Sequence, residues 1–89
     1  MKFNAWSKKR IRLGVKHLTS RTKIHNNDPD VDYIIVPALP WRFIKRFLYR
    51  DEGAVSPEEL QSIINQVQRR KVEDWDHFYV HVLKPDLEV

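Results

Sequence analysis

The chain has 89 residues, a mass of 10.7 kDa and no cysteine. That describes one small domain with a single core and excludes disulfides and thiolate metal sites. Its longest apolar run, Tyr33 to Val36, is far short of the roughly 20 residues a membrane helix needs. With 16 Lys+Arg against 12 Asp+Glu the net charge is +4. No secretory apolar region follows the first charges, so a cytoplasmic protein is expected.

Taken in chain order, Ser7 to about Leu13 reads as a short helix capped by the Ser7 hydroxyl and ended by Gly14. Its high polar content puts it on the surface, with Ile11 and Trp6 turned inward. His17 to about Lys23 alternates as a strand, with His17, Thr19 and Arg21 on one face and Leu18 and Ser20 on the other. Asn26–Asp30 is a turn by composition. Asp32 to Pro37 is a second strand, apolar on both sides, which is expected to be buried or central. Pro40 opens a helix as a first-turn residue. Trp41, Ile44 and Leu48 then form an apolar stripe widened by Phe43 and Phe47, beside a basic stripe of Arg42, Arg46 and Arg50. Ser56-Pro57-Glu58-Glu59 is a capping box ahead of the stripe Leu60, Ile63, Ile64 and Val67, with Arg69–Lys71 at the helix end. His77 to Leu83 closes the chain as a strand with Phe78, Val80 and Val82 on one face. The order helix, strand, strand, helix, helix, strand predicts an α+β domain with a small, partly closed sheet and two to three helices.

Charge is unevenly spread. Residues 1–23 carry Lys2, Lys8, Lys9, Arg10, Arg12, Lys16, Arg21 and Lys23 and no acid, whereas residues 51–89 hold nine acids against four bases. Such a block either binds polyanions or pairs with the acidic half of the chain.

The chemistry-bearing candidates are few. His77 and His81 would be a zinc pair on a helix, but four strand residues separate them by roughly 13 Å, too far to share one ion. With two glycines far apart there is no phosphate loop. Neither a metal nor a cofactor is expected. Lys16 lies inside the positive block, where like charges disfavour its ammonium form. Such an amine can act as a base, and Thr19 three residues on offers a hydroxyl nucleophile. Against this, both are ordinary strand and surface residues. Glu52 follows Arg50 and Asp51 at a helix exit and precedes Gly53. It reads either as a general acid/base or as a loop salt bridge to Arg50.

Gly14-x-Lys16-x-x-x-x-Arg21 resembles the G-x-K-x-x-x-x-R signature of the ASCH domains, a branch of the PUA-like RNA-associated barrels. Leu48-Tyr49-Arg50-Asp51-Glu52-Gly53, followed by Ser56-Pro57-Glu58-Glu59-Leu60, is similar to the stretch that leads into an ASCH helix. Phe78-Tyr79-Val80-His81-Val82 resembles the closing strand. The resemblance implies a single domain over residues 1–89 built as a small PUA-like barrel, with a cleft along the signature strand. Some small bacterial ASCH proteins are amidohydrolases acting on acetylated cytidine. Carried over, Lys16 would be the base, Thr19 the nucleophile and Glu52 the proton donor to the leaving amine, with Arg21 holding Glu52 or the substrate. Two departures stand out. The segment 22–39 is short for the family and leaves a barrel wall missing, to stay open or be completed by a second copy. Many ASCH proteins also carry glutamate where this chain has Thr19.

Two functions are therefore expected of this chain. One is an amidohydrolase removing an acyl group from the exocyclic amine of cytidine, which needs a narrow pocket with Lys16 at its floor. The other is a non-catalytic single-stranded RNA-binding module. It would use the basic residues Arg10, Arg12, Arg21, Lys23, Arg42 and Arg46 with stacking by Trp6, Tyr33, Trp41 and Tyr49. A face of Trp41, Phe43 and Phe47 is a third candidate, as the seal of a homodimer.

Overall fold

In the computed structural model, which describes residues 1–89, the chain forms α1 (Ala5–Arg12), β1 (Leu18–Arg21), β2 (Val31–Pro40), α2 (Trp41–Phe47), α3 (Pro57–Gln68) and β3 (His77–Leu83). The element order is the one read from the sequence. The three strands make one antiparallel sheet in the order β1-β3-β2. Both β1 and β2 are free edges, so the sheet is open and the expected partial closure into a barrel is absent.

The last strand in the chain is the central one. Phe78 and Val80 are fully buried on the face that meets the helices, which follows from the alternation of side chains along a strand. They pack with Leu18, Trp41, Ile44, Ala54, Leu60, Ile64 and Val72 in a single core. Trp41 meets Phe78 edge-on at 5.5 Å between ring centroids. Its indole N–H donates to Gln61 Oε1 at 2.8 Å, and Gln61 in turn donates to Asn65 and to the Val72 carbonyl. Trp41 has no exposed surface. It is a core residue with its polar atom satisfied, and it cannot stack on a base or seal a dimer.

Several local expectations are corrected by the packing. The N-cap of α1 is Asn4, whose side chain accepts from the Ser7 N–H at 2.8 Å. Ser7 therefore lies in the first turn instead of before it. Asparagine caps as well as serine does, and the earlier start places Trp6 where it packs against the core. Pro40 is the N-cap of α2, one position ahead of the predicted first turn. β2 is an edge strand with Tyr33 and Val36 largely exposed. Its apolar run suggested a central position, but β3 pairs with both neighbours and takes that place. The register slips between Ile35 and Leu39, around Pro37, which has no N–H to give to a ladder. In α3, Ser56 accepts from the Glu59 N–H as predicted, while Glu59 reaches back to the Val55 N–H. The helix stops at Arg69, which takes a left-handed conformation with φ 56°. Arg69–Lys71 thus lie beyond the last turn.

The other face of the sheet is covered by the turn after β1. His81 is fully buried there. Its Nε2 accepts from the His25 backbone N–H at 3.1 Å, and its Nδ1 faces the Tyr79 carbonyl at 2.9 Å. Both contacts are satisfied together only by the neutral ring protonated at Nδ1. Burial pushes the His81 pKa below its ordinary 6.5, with the Tyr79 carbonyl opposing and the nearby His25 and Arg21 adding to the fall. The unfolded chain therefore takes up this proton at a higher pH than the folded chain does. Stability from this site is present above about pH 6.5 and is lost as pH falls through that value. The urea midpoint is expected to drop between about pH 7.5 and about pH 5.5, and to drop less in His81→Gln. Equal slopes in the two proteins would contradict it.

Candidate active site

The loop after α2 is folded onto the start of β1 by its backbone. The Asp51 carbonyl accepts from both the His17 and Leu18 N–H groups, at 2.6 and 3.0 Å. The turn itself is closed by Glu52 N–H to the Leu48 carbonyl and Ala54 N–H to the Tyr49 carbonyl. Gly53 sits at φ +96°, and a Cβ placed there would lie 2.9 Å from Lys16 Cβ and 3.0 Å from Arg10 Cβ. Only glycine combines that backbone conformation with so close an approach. The result is that Lys16 and Glu52, 36 positions apart in sequence, meet inside the protein.

Lys16 Nζ donates to Glu52 Oε1 at 3.0 Å and to the Glu52 carbonyl at 3.0 Å. The two side chains are 3% and 4% exposed. Taking both charges out of water is costly, so the pair persists because each partner is hydrogen-bonded as well as neutralised. Glu52 does not pair with Arg50, which instead lies over the Tyr49 ring. The cationic crowding that the sequence suggests around Lys16 is thus answered by a carboxylate at contact distance. The Trp6 ring covers the ammonium at 5.8 Å.

The other oxygen of the carboxylate, Oε2, accepts a hydrogen bond from the Ser20 hydroxyl. Ser20 is buried and was not singled out from the sequence. Register explains its role. Ser20 stands opposite Val80 and Thr19 opposite His81, and directly opposed residues share a face. Ser20 therefore points to the core side, where Glu52 and Lys16 lie. Thr19 is on the His81 side, where its Oγ1 accepts from Arg21 Nε at 3.3 Å. Arg21 also donates to the Lys2 carbonyl and lies over the Phe3 ring. Burial lowers the Arg21 pKa from its ordinary value, an effect opposed by the charges of Glu52 and Asp28.

These groups border one cavity of about 100 Å³. Its walls include Trp6, Lys16, Thr19, Ser20, Arg21 and Glu52, with Leu60, Ile63, Ile64 and Val67 of α3 forming the apolar side. Because β1 is an edge strand, residues from both of its faces reach the same opening. The Trp6 Nε1 is buried with no hydrogen-bond partner, which leaves one donor unused on a residue of this wall.

The remaining predicted binding residues are dispersed. Arg10 is half-buried, pairs with Glu59 at 3.5 Å and lies over Trp6. Arg12 is exposed and donates to the Val89 backbone. Lys23, Arg42 and Arg46 are exposed, the last lying over the Phe47 ring. Tyr49 is partly buried against the core. Within the basic block, Arg12 and Lys23 are exposed and Arg10 and Arg21 half-buried, while Lys16 is withdrawn from solvent. Comparison with family models, with curated proteins and with solved structures finds no match to this chain.

The buried pair makes a sharp energetic prediction. Removing one partner, as in Lys16→Met or Glu52→Gln, is expected to cost about 3–5 kcal/mol in urea unfolding, since a buried charge loses its counter-charge. The double variant Lys16→Met/Glu52→Leu should recover most of that loss. A double variant whose loss equals the sum of the two single losses would show that the two charges act independently.

Proposed function

We propose that the chain is a reduced ASCH-like domain acting as an amidohydrolase on a small acylated amine, with the acyl group on the exocyclic amine of cytidine as the favoured case. The observation that carries the reading is the water-shielded Lys16–Glu52 pair on the wall of a narrow cavity. Lys16 and Glu52 come from two of the three segments on which the ASCH resemblance rests. On this reading the open three-stranded sheet is the shortened form of a PUA-like barrel, as the brief 22–39 segment suggests.

The cavity is smaller than the roughly 300 Å³ at which drug-sized sites begin. It suits a compact group such as an acyl amide on one ring, with the rest of the substrate outside. The apolar wall of α3 would face the ring. Amide hydrolysis requires a hydroxyl or water to lose a proton and the leaving amine to gain one. A carboxylate accepting from a hydroxyl, with an ammonium on its other oxygen, supplies both functions in one unit. The geometry favours Glu52 as the acceptor of the attacking group's proton and Lys16 as the donor to the amine, the reverse of the roles that the resemblance implied. Wild-type protein is expected to release cytidine from acetylated cytidine. Glu52→Gln and Lys16→Met should each lose about 100-fold or more in kcat. No turnover by the wild type, or equal rates in all three proteins, would overturn the reading.

A second reading is supported by the surface of α2. Phe43 and Phe47 are exposed with ring centroids 5.0 Å apart, and Arg42, Arg46 and Arg50 are exposed on the same segment. Exposed aromatics among arginines suit single-stranded RNA. Binding of a short single-stranded RNA should weaken steeply as salt rises and weaken again in Phe47→Ala. Affinity indifferent to both would remove this alternative.

A further inference from the structure

We infer that Ser20, and not Thr19, is the hydroxyl that takes up the acyl group in this site. The inference rests on the amidohydrolase reading for its substrate, but its geometry stands apart from that reading. A hydroxyl becomes a useful nucleophile when an adjacent base can receive its proton and a third group orients that base. Ser20 meets both conditions. Its O–H is directed at Glu52 Oε2, and Glu52 is held through Oε1 and its own carbonyl by Lys16 Nζ. All three side chains are buried, and all three border the cavity. Thr19 meets neither condition. It stands across the strand on the His81 face, its oxygen accepts from Arg21 Nε, and the hydrogen bonds of Lys16 and Glu52 go to each other and to Ser20 instead. The interval of three residues between Lys16 and Thr19 is a spacing in the sequence only. The alternation of β1 turns the next residue toward the pair.

The step balances without any added reagent except water. Ser20 Oγ bonds to the acyl carbon while its proton passes to Glu52 Oε2. The carbon–nitrogen bond breaks, and the leaving amine takes a proton from Lys16, which is restored from the protonated Glu52. Water then attacks the Ser20 ester, Glu52 accepts the proton of that water, and it is returned to Ser20 Oγ as the carboxylic acid leaves.

The test uses an activated acyl donor as well as the nucleoside. Full-length protein is treated with para-nitrophenyl acetate, quenched in acid and digested with trypsin. The peptide His17–Arg21 carries both hydroxyls, and fragmentation distinguishes them. The expected result is an acetyl ester on Ser20, formed at least tenfold faster than on the serines outside the cavity, Ser56 and Ser62, and at least tenfold slower on Ser20 in Glu52→Gln. An ester on Thr19, no ester on this peptide, or labelling of Ser20 no faster than of Ser56 and Ser62 would overturn the inference. Ser20→Ala and Ser20→Thr are compared in parallel on acetylated cytidine, the second keeping a hydroxyl should the first fold poorly. Turnover that persists unchanged in Ser20→Ala overturns the role of Ser20 and spares the substrate reading. Ester formation on Ser20 without turnover of acetylated cytidine upholds Ser20 and removes that substrate.

Discussion

An ammonium and a carboxylate, both nearly stripped of water, hold this small protein's site together. Lys16 belongs to the turn between α1 and β1, and Glu52 to the loop after α2. Their contact requires those two connections to lie against each other. The backbone arranges it through the bonds to the Asp51 carbonyl and through Gly53, whose missing side chain lets the chains approach. A buried pair of this kind is weak evidence for stability, because desolvation offsets much of the attraction.

The sheet topology decides which side chains share that cavity. β3 occupies the centre and supplies the fully buried Phe78, Val80 and His81. β1 is left at an edge, and Thr19, Ser20 and Arg21 of this four-residue strand border the cavity. The two faces of the sheet then have separate chemistry. The helix side carries the Lys16, Glu52 and Ser20 cluster above an apolar core. The opposite side carries a neutral histidine held by its own strand and by the turn after β1. Arg21 and Thr19 belong to this second system, although they border the same opening.

Much of the fold was legible in the sequence because its signals are local. The Leu60, Ile63 and Ile64 stripe, the serine cap ahead of Pro57 and the alternation in β3 each depend on residues within one or two turns or on one strand. The failures share a cause as well. Ser7 and Asn4 are both good caps, and only the packing of Trp6 selects the earlier one. The run Tyr33–Val36 is apolar wherever it lies, and nothing within it says that a strand more than 40 positions later will take the centre of the sheet. Trp41 stands beside a basic stripe in sequence and is absent from the surface in space. Phe43 and Phe47, read as a widening of the apolar face, are exposed instead.

By itself the sequence determined an α+β domain with its elements in the right order, and marked Lys16, Thr19 and Glu52 as residues with chemistry to offer. Only the tertiary structure decided that the neighbour of Lys16 is an anion and not further cations, that Ser20 completes the cluster, and that Thr19 faces away from it. The reason is that charge and hydrogen bonding depend on distance in space, over a few ångströms for a hydrogen bond and about 10 Å for a screened charge. Periodicity places a residue on a face of its own strand or helix, but which groups that face meets is set by the folding of segments far apart along the chain.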